Sequence, residues 1–143
     1  MKLRGTSDVE LADFINTIKT KKGGPTFAGV FSNDQLKKPV KNKIYILNLE
    51  DSNEPGSHWV LLYNGWYFDP YGVMPTAEIA PFTTNYNQND FQGINSEACG
   101  HYCAYVASRI ILGQTPYTGI LVPNKSRINE NVLEDFFRGS LME

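Results

Sequence analysis

Cysteine and histidine are scarce in this 143-residue chain, with two of each. Cys99 and Cys103 lie four positions apart, too few and too close to form a disulfide framework. The fold must therefore be held by its core, and a reducing, intracellular setting is expected. No apolar run reaches the length of a membrane span, and no positively charged leader with an apolar centre precedes the first predicted helix. Neither a membrane partner nor a targeting segment is expected, nor a metal or other cofactor. Internal repeats and low-complexity tracts are absent as well. Positive charge runs short beyond residue 43, where four Lys/Arg stand against eleven Asp/Glu, a local −7. The first 43 residues carry +5, and Lys19, Lys21, Lys22, Lys37, Lys38, Lys41 and Lys43 would attract phosphate if they converged. The overall −2 argues against an obligatory nucleic-acid partner. What the chain does have is 41% hydrophobic content, enough for one core, so a single domain spanning 1–143 is expected.

Apolar periodicity supplies three helices. Ser7-Asp-Val-Glu10 reads as a capping box ahead of a stripe of Leu11, Phe14, Ile15 and Ile18, with Gly23-Gly24-Pro25 as terminator. Tyr102, Cys103, Val106, Ala107, Ile110 and Ile111 share one face of a second helix closed by Gly113. Ile128, Val132, Leu133, Phe136 and Phe137 form a third, ending at Gly139. Residues 43–49 read as a buried strand, residues 27–36 as a turn-rich loop, and residues 115–123 as turns around a short apolar run.

One hairpin allows geometry to be argued. Residues 57–63 and 66–69 flank Asn64-Gly65, the two-residue signal for a tight β-turn. Such a loop pairs Tyr63 with Trp66, and alternation then sets His58, Val60, Leu62, Tyr67 and Asp69 on one face. Trp59, Leu61, Tyr63, Trp66 and Phe68 take the other. Both faces are apolar enough to be covered, so a His–Asp pair within them needs a reason. His58 and Asp69 are diagonal neighbours with Cα atoms roughly 7–8 Å apart, a gap that a hydrogen bond can close. The plain reading is a satisfied structural pair. The chemical one is a general base oriented by an acid, as in nucleophile–base–acid triads.

A nucleophile is available in Gln92-Gly-Ile-Asn-Ser-Glu-Ala-Cys99-Gly-His-Tyr-Cys103. With Ser96 as N-cap, Cys99 occupies the third helical position, where unpaired N–H groups and the helix dipole favour a thiolate. A free cysteine at a helix start is more often a small buried hydrophobe. His101 lies two residues on, about 200° around the helix, which leaves His58 as the base for Cys99. A thioester-forming reaction develops an oxyanion, and the Gln92 amide with the Cys99 backbone N–H suits it. A single glutamine, though, is ordinarily a surface residue. Cys103 belongs to the apolar stripe and should be buried, protonated and inert.

The pattern Gln-Gly-x-Asn-Ser-x-Ala-Cys-Gly-x-x-Cys, with seven residues from Gln92 to Cys99, resembles the active-site segment of the adenovirus maturation protease (adenain) family. Relatives of that family occur in DNA viruses, virophages and viral-like transposons. Ser57-His58-Trp59 and Tyr67-Phe-Asp69-Pro-Tyr71-Gly72 resemble its base and acid segments, and the likeness spans roughly residues 8–138. SUMO and NEDD8 proteases of the same clan use one residue fewer and an acid where Ala98 stands. The resemblance implies an α+β fold, with a small mixed sheet and a central helix presenting the cysteine. It implies a cysteine endopeptidase that cuts capsid and other virion precursors at glycine-containing sites, in the virion and in the infected cell's cytoplasm or viral factory. Catalysis falls to His58, Asp69, Gln92 and Cys99, while Trp59, Tyr71 and Asn95 are expected to line the substrate cleft. The partner is a protein substrate, met by a monomer. The family's activating peptide is admitted too, but no cysteine precedes Cys99 to tether it. A deconjugating isopeptidase acting on ubiquitin-like tails is the alternative, and an inactive binding module a third.

Overall fold

The computed structural model describes residues 3–49, 58–93 and 96–143. Its elements run α1 (Asp8–Asn16), β1 (Thr26–Ser32), β2 (Lys43–Asn48), β3 (Trp59–Tyr63), β4 (Trp66–Phe68), β5 (Asn85–Tyr86), α2 (Cys99–Ile111) and α3 (Ser126–Phe137). The strands form one mixed sheet in the order β1-β2-β3-β4-β5, with β1/β2 and β4/β5 parallel and the two central pairs antiparallel. The expected α+β class, with a small mixed sheet, holds.

The hairpin forms in the predicted register, Tyr63 opposite Trp66 and Leu61 opposite Phe68. Asn64 and Gly65 both take positive φ, 48° and 80°, as a primed two-residue turn requires. The faces also separate as alternation demands. Ile44, Ile46, Trp59, Leu61 and Phe68 join the core shared with the helices. Tyr45, Leu47, Val60, Leu62 and Tyr67 form a second cluster, closed by Ile79 with Leu36, Phe31 and Phe82.

Three expectations change. Residues 27–36 are not all loop: Thr26–Ser32 is an edge strand pairing parallel to β2, with an irregularity between Phe27 and Gly29. That strand lacks clean alternation, and its pairing with β2 overrides its weak local preference. The first helix stops at Asn16, well before Gly23. Its expected capping box is present, Ser7 and Glu10 reciprocally bonded, but Thr17 closes it by donating its hydroxyl to the Phe14 carbonyl at 2.6 Å. On α3, Leu133 and Phe137 are buried, while Ile128 and Phe136 are exposed, because the helix meets the core along a narrower stripe.

The second helix is more buried than a one-faced stripe implies. Every α2 residue except Arg109 is buried. It is packed between the sheet on one side and α1 and α3 on the other. The C-terminal turn completes this enclosure: Met142 is in the core, and its carbonyl accepts a 2.7 Å hydrogen bond from His101 Nε2.

Candidate active site

The site sits at one end of the central strands. His58 lies immediately before β3 and Asp69 immediately after β4. His58 Nε2 lies 3.1 Å from each oxygen of the Asp69 carboxylate. A carboxylate only accepts, so Nε2 carries the proton and Nδ1 is left for the thiol. Asp69 is fully buried, and its Oδ1 also accepts the Tyr71 backbone N–H at 2.8 Å. Burial pushes the His58 pKa down, but hydrogen bonds to Asp69 and to Cys99, with their charges, outweigh it and raise the value to about 9. The base thus touches both an acid and the nucleophile candidate.

Cys99 is the first residue of α2, not its third-position residue as expected. Ala98 is the N-cap, without a side-chain cap bond. Ser96 does not cap the helix. Its hydroxyl accepts the Ala98 N–H at 3.1 Å and donates to Glu130 Oε1 at 3.0 Å. The first N–H groups of a helix lack intrahelical acceptors, so the nucleophile still lies in that donor-rich turn. Only 4% of Cys99 is exposed. It opens on a cleft of about 560 Å³ lined by Gly5, Thr6, Glu10, Trp59, Ser96 and Glu97. The N-terminal segment makes this wall by crossing the helix start at Gly100. A Cβ there would run into the Thr6 hydroxyl, and Trp59 Nε1 donates to the Thr6 carbonyl at 3.2 Å.

Gln92 is 1% exposed. Its backbone N–H and that of Phe91 both donate to the Pro70 carbonyl, at 3.1 and 2.8 Å, which ties it beside Asp69. Its Nε2 donates to the Ser96 carbonyl at 2.8 Å, and Oε1 has no partner among the described residues. One amide N–H is thereby fixed and a second remains to be given.

Of the expected cleft residues, Trp59 lines the wall. Tyr71 braces the site: its ring stacks on His58 at 5.1 Å and 25°, and its hydroxyl donates to the Ser96 carbonyl at 3.0 Å. Asn95 and Ser57 lie outside the described residues. His101 is committed to the Met142 carbonyl and packed edge-on against Phe137, and burial depresses its pKa. Cys103 is fully buried, and desolvation raises its pKa well above the ordinary thiol value. Among the described residues no cluster suits a metal ion, and no helix is long and apolar enough to cross a membrane.

Sequence reasoning missed Asn87, Ser96's second role and Glu130. Asn87 Oδ1 accepts the Asp69 N–H at 2.9 Å and Nδ2 donates to the Asp69 carbonyl at 2.6 Å. Nothing in the polar run around Asn87 distinguishes it from its neighbours. Scanned against protein-family models and against curated protein sequences, the chain matches none.

Proposed function

We propose that the chain is a cysteine endopeptidase using a Cys99–His58–Asp69 triad with Gln92 at the oxyanion, of the adenain kind in its fold and its order of residues. The observation that carries this reading is His58, bonded through Nε2 to a buried carboxylate and also hydrogen-bonded to Cys99. A structural His–Asp pair has no need of a thiol, and a structural thiol has no need of an oriented imidazole. With its pKa raised to about 9, His58 holds the Cys99 proton on Nδ1 before attack, and the Sγ thiolate adds to the scissile carbonyl carbon. Asp69 holds the ring and stabilises its charged form. The carbonyl oxygen becomes an oxyanion, received by the Gln92 amide and the Cys99 backbone N–H. As the C–N bond breaks, His58 returns the proton to the leaving amine. Water, deprotonated by His58, then hydrolyses the thioester and restores the thiol.

The substrate proposed is a capsid or other virion precursor protein cut beside glycine, in the virion and the infected cell, by a monomer. A cleft walled by Trp59 and the Gly5–Ser7 backbone suits positions without side chains. The test is incubation with capsid precursors from the same genome, with cleavage sites mapped by mass spectrometry. Cleavage at glycine-containing sites by wild type and none by Cys99→Ala is expected. Equal alkylation of wild type and Cys99→Ala, or cleavage restricted to ubiquitin-like fusions, would overturn the assignment of nucleophile or of substrate respectively.

A further inference from the structure

The third helix carries a group that reaches toward the chemistry without touching it. Glu130, on α3, accepts from the Ser96 hydroxyl through Oε1 at 3.0 Å. Its Oε2 lies 3.4 Å from the Tyr102 hydroxyl, whose one proton goes to the nearer Phe91 carbonyl at 2.9 Å. Ser96 is the hub of the segment before Cys99. Its carbonyl accepts from Gln92 Nε2 at 2.8 Å and from the Tyr71 hydroxyl at 3.0 Å, and its hydroxyl accepts the Ala98 N–H. Among the described residues the Gln92 amide has no other anchor, since Oε1 is buried without a partner there. Turning that amide over would set Oε1 against the Ser96 carbonyl, two acceptors face to face. The orientation of Gln92 is therefore only as fixed as the Ser96 peptide.

We infer that Glu130 is a positioning residue for the oxyanion donor, acting through Ser96 to hold the Gln92 amide with its second N–H toward Cys99. This rests on the protease reading above and deepens it. A donor aimed at a developing oxyanion is worth roughly 10²–10³ in rate, and a misplaced one loses part of that. Without the carboxylate, the Ser96 hydroxyl loses its acceptor and Ser96 loses its hydrogen bond to α3. Gln92 and Tyr71 then bond a carbonyl held only by local bonds, the Ser96 N–H to the Gly93 carbonyl and the Ala98 N–H to the Ser96 hydroxyl. His58 and Asp69 keep their bond to each other, and Asp69 its bond to the Tyr71 N–H, since Glu130 takes part in neither. The isosteric glutamine preserves the brace. Its Oε1 accepts from Ser96, and its amide N–H groups face Tyr102, whose oxygen accepts while its proton stays on the Phe91 carbonyl.

Two thiol reagents separate this role from general loss of structure. Iodoacetamide alkylates Cys99 by displacement at carbon and builds no oxyanion. The peptide aldehyde acetyl-Leu-Ala-Gly-glycinal adds the thiol to its carbonyl and places a hemithioacetal oxygen where an oxyanion would lie. Both are measured on wild type, Glu130→Ala and Glu130→Gln of the full chain. Glu130→Ala should lower aldehyde affinity about 10-fold, and kcat on a matching peptide with little change in KM, while iodoacetamide reacts within about two-fold of wild type. Glu130→Gln should recover most of the loss. An alanine variant that matches wild type with both reagents, or falls equally with both, overturns the assignment. Wild-type Cys99 reacting with neither reagent faster than a free thiol refutes the protease reading itself, and the role of Glu130 with it.

Discussion

Replacing Asp69 by asparagine tests the triad at its most buried member. The carboxylate uses Oδ1 for the Tyr71 N–H at 2.8 Å and meets His58 Nε2 at 3.1 Å. Asparagine fits the same space, and its oxygen must face the Tyr71 N–H, since two N–H groups repel there. Its amide nitrogen then faces His58 and donates. Nε2 becomes the acceptor, the ring proton moves to Nδ1, and the nitrogen facing Cys99 can no longer take a proton. In a serine triad the same inversion costs about 10⁴. A thiol ionises more readily than a hydroxyl, so the loss here should be roughly 10²-fold in kcat/KM, about 2.7 kcal/mol of transition-state stabilisation. The assay is kcat/KM on a glycine-containing fluorogenic peptide at neutral pH. An unchanged value would remove Asp69 from the mechanism.

The same substitution has a signature in pH. His58 in the folded protein titrates near 9, above its ordinary 6.5: burial opposes this, and hydrogen bonding to Asp69 and Cys99 overcomes it. A raised pKa contributes stability that is fully present below about 6.5 and is lost as pH rises through about 9. The urea stability of wild type over Asp69→Asn should therefore shrink across that window. The alkaline limb of kcat/KM should lie near pH 9 in wild type and at lower pH in the variant. A limb that stays in place would assign the titration to another group.

Cys103→Ala should keep kcat/KM within a few-fold and lose about 1 kcal/mol in denaturant unfolding. Native-state alkylation with peptide mapping should label Cys99 and spare Cys103, and the reverse order would exchange their roles. Gly100→Ala should destabilise by about 1–2 kcal/mol, because its Cβ runs into Thr6, and overpacking outweighs the ~1 kcal/mol that alanine gains in a helix. Thr6→Ala in the same chain should return part of that loss, and equal stabilities of wild type and Gly100→Ala would show that the N-terminal wall yields freely. Activity should appear without a disulfide-linked peptide and without DNA, and a rate that needs nucleic acid and falls steeply with salt would contradict this.

The hairpin was legible because Asn64-Gly65 dictates a register, and register with alternation dictates neighbours. The capping box of α1 and the stripe of α2 were legible for the same reason, as patterns within a few residues of one another. β1 was not, because Ala28, Gly29 and Ser32 break its alternation and its strand character comes from β2. Nor was β5, only two residues long, whose pairing comes from β4. The brace behind Gln92 joins Ser96 to Glu130 across 34 positions, a separation at which a sequence carries no local signal. The N-cap was misplaced for a related reason. Ser96 has the right chemistry for a cap, but its hydroxyl accepts the Ala98 N–H ahead of the helix, held there by its bond to the distant carboxylate.

One tension in the fold shows why Asn87 matters. Alternation sends His58 and Asp69 toward the sheet face of Val60, Leu62 and Tyr67, whereas Cys99 belongs to the core on the opposite face. The conflict disappears because the β3/β4 ladder ends at Leu61 and Phe68, so Asp69 is released from the pleat. A strand neighbour no longer satisfies its backbone, and the Asn87 side chain substitutes for one, bonding both the N–H and the carbonyl of Asp69. Asn87→Ala leaves the buried Asp69 N–H unpaired, at about 1–3 kcal/mol, while the carbonyl keeps the Gly72 N–H. It also lets the carboxylate drift from His58. The expected outcome is lower unfolding stability together with an alkaline kcat/KM limb moved below pH 9, since the hydrogen bond that raises the His58 pKa is weakened. A variant that loses stability but keeps the limb near 9 and its kcat would show that Asn87 supports the chain alone, and that Asp69 finds His58 without it.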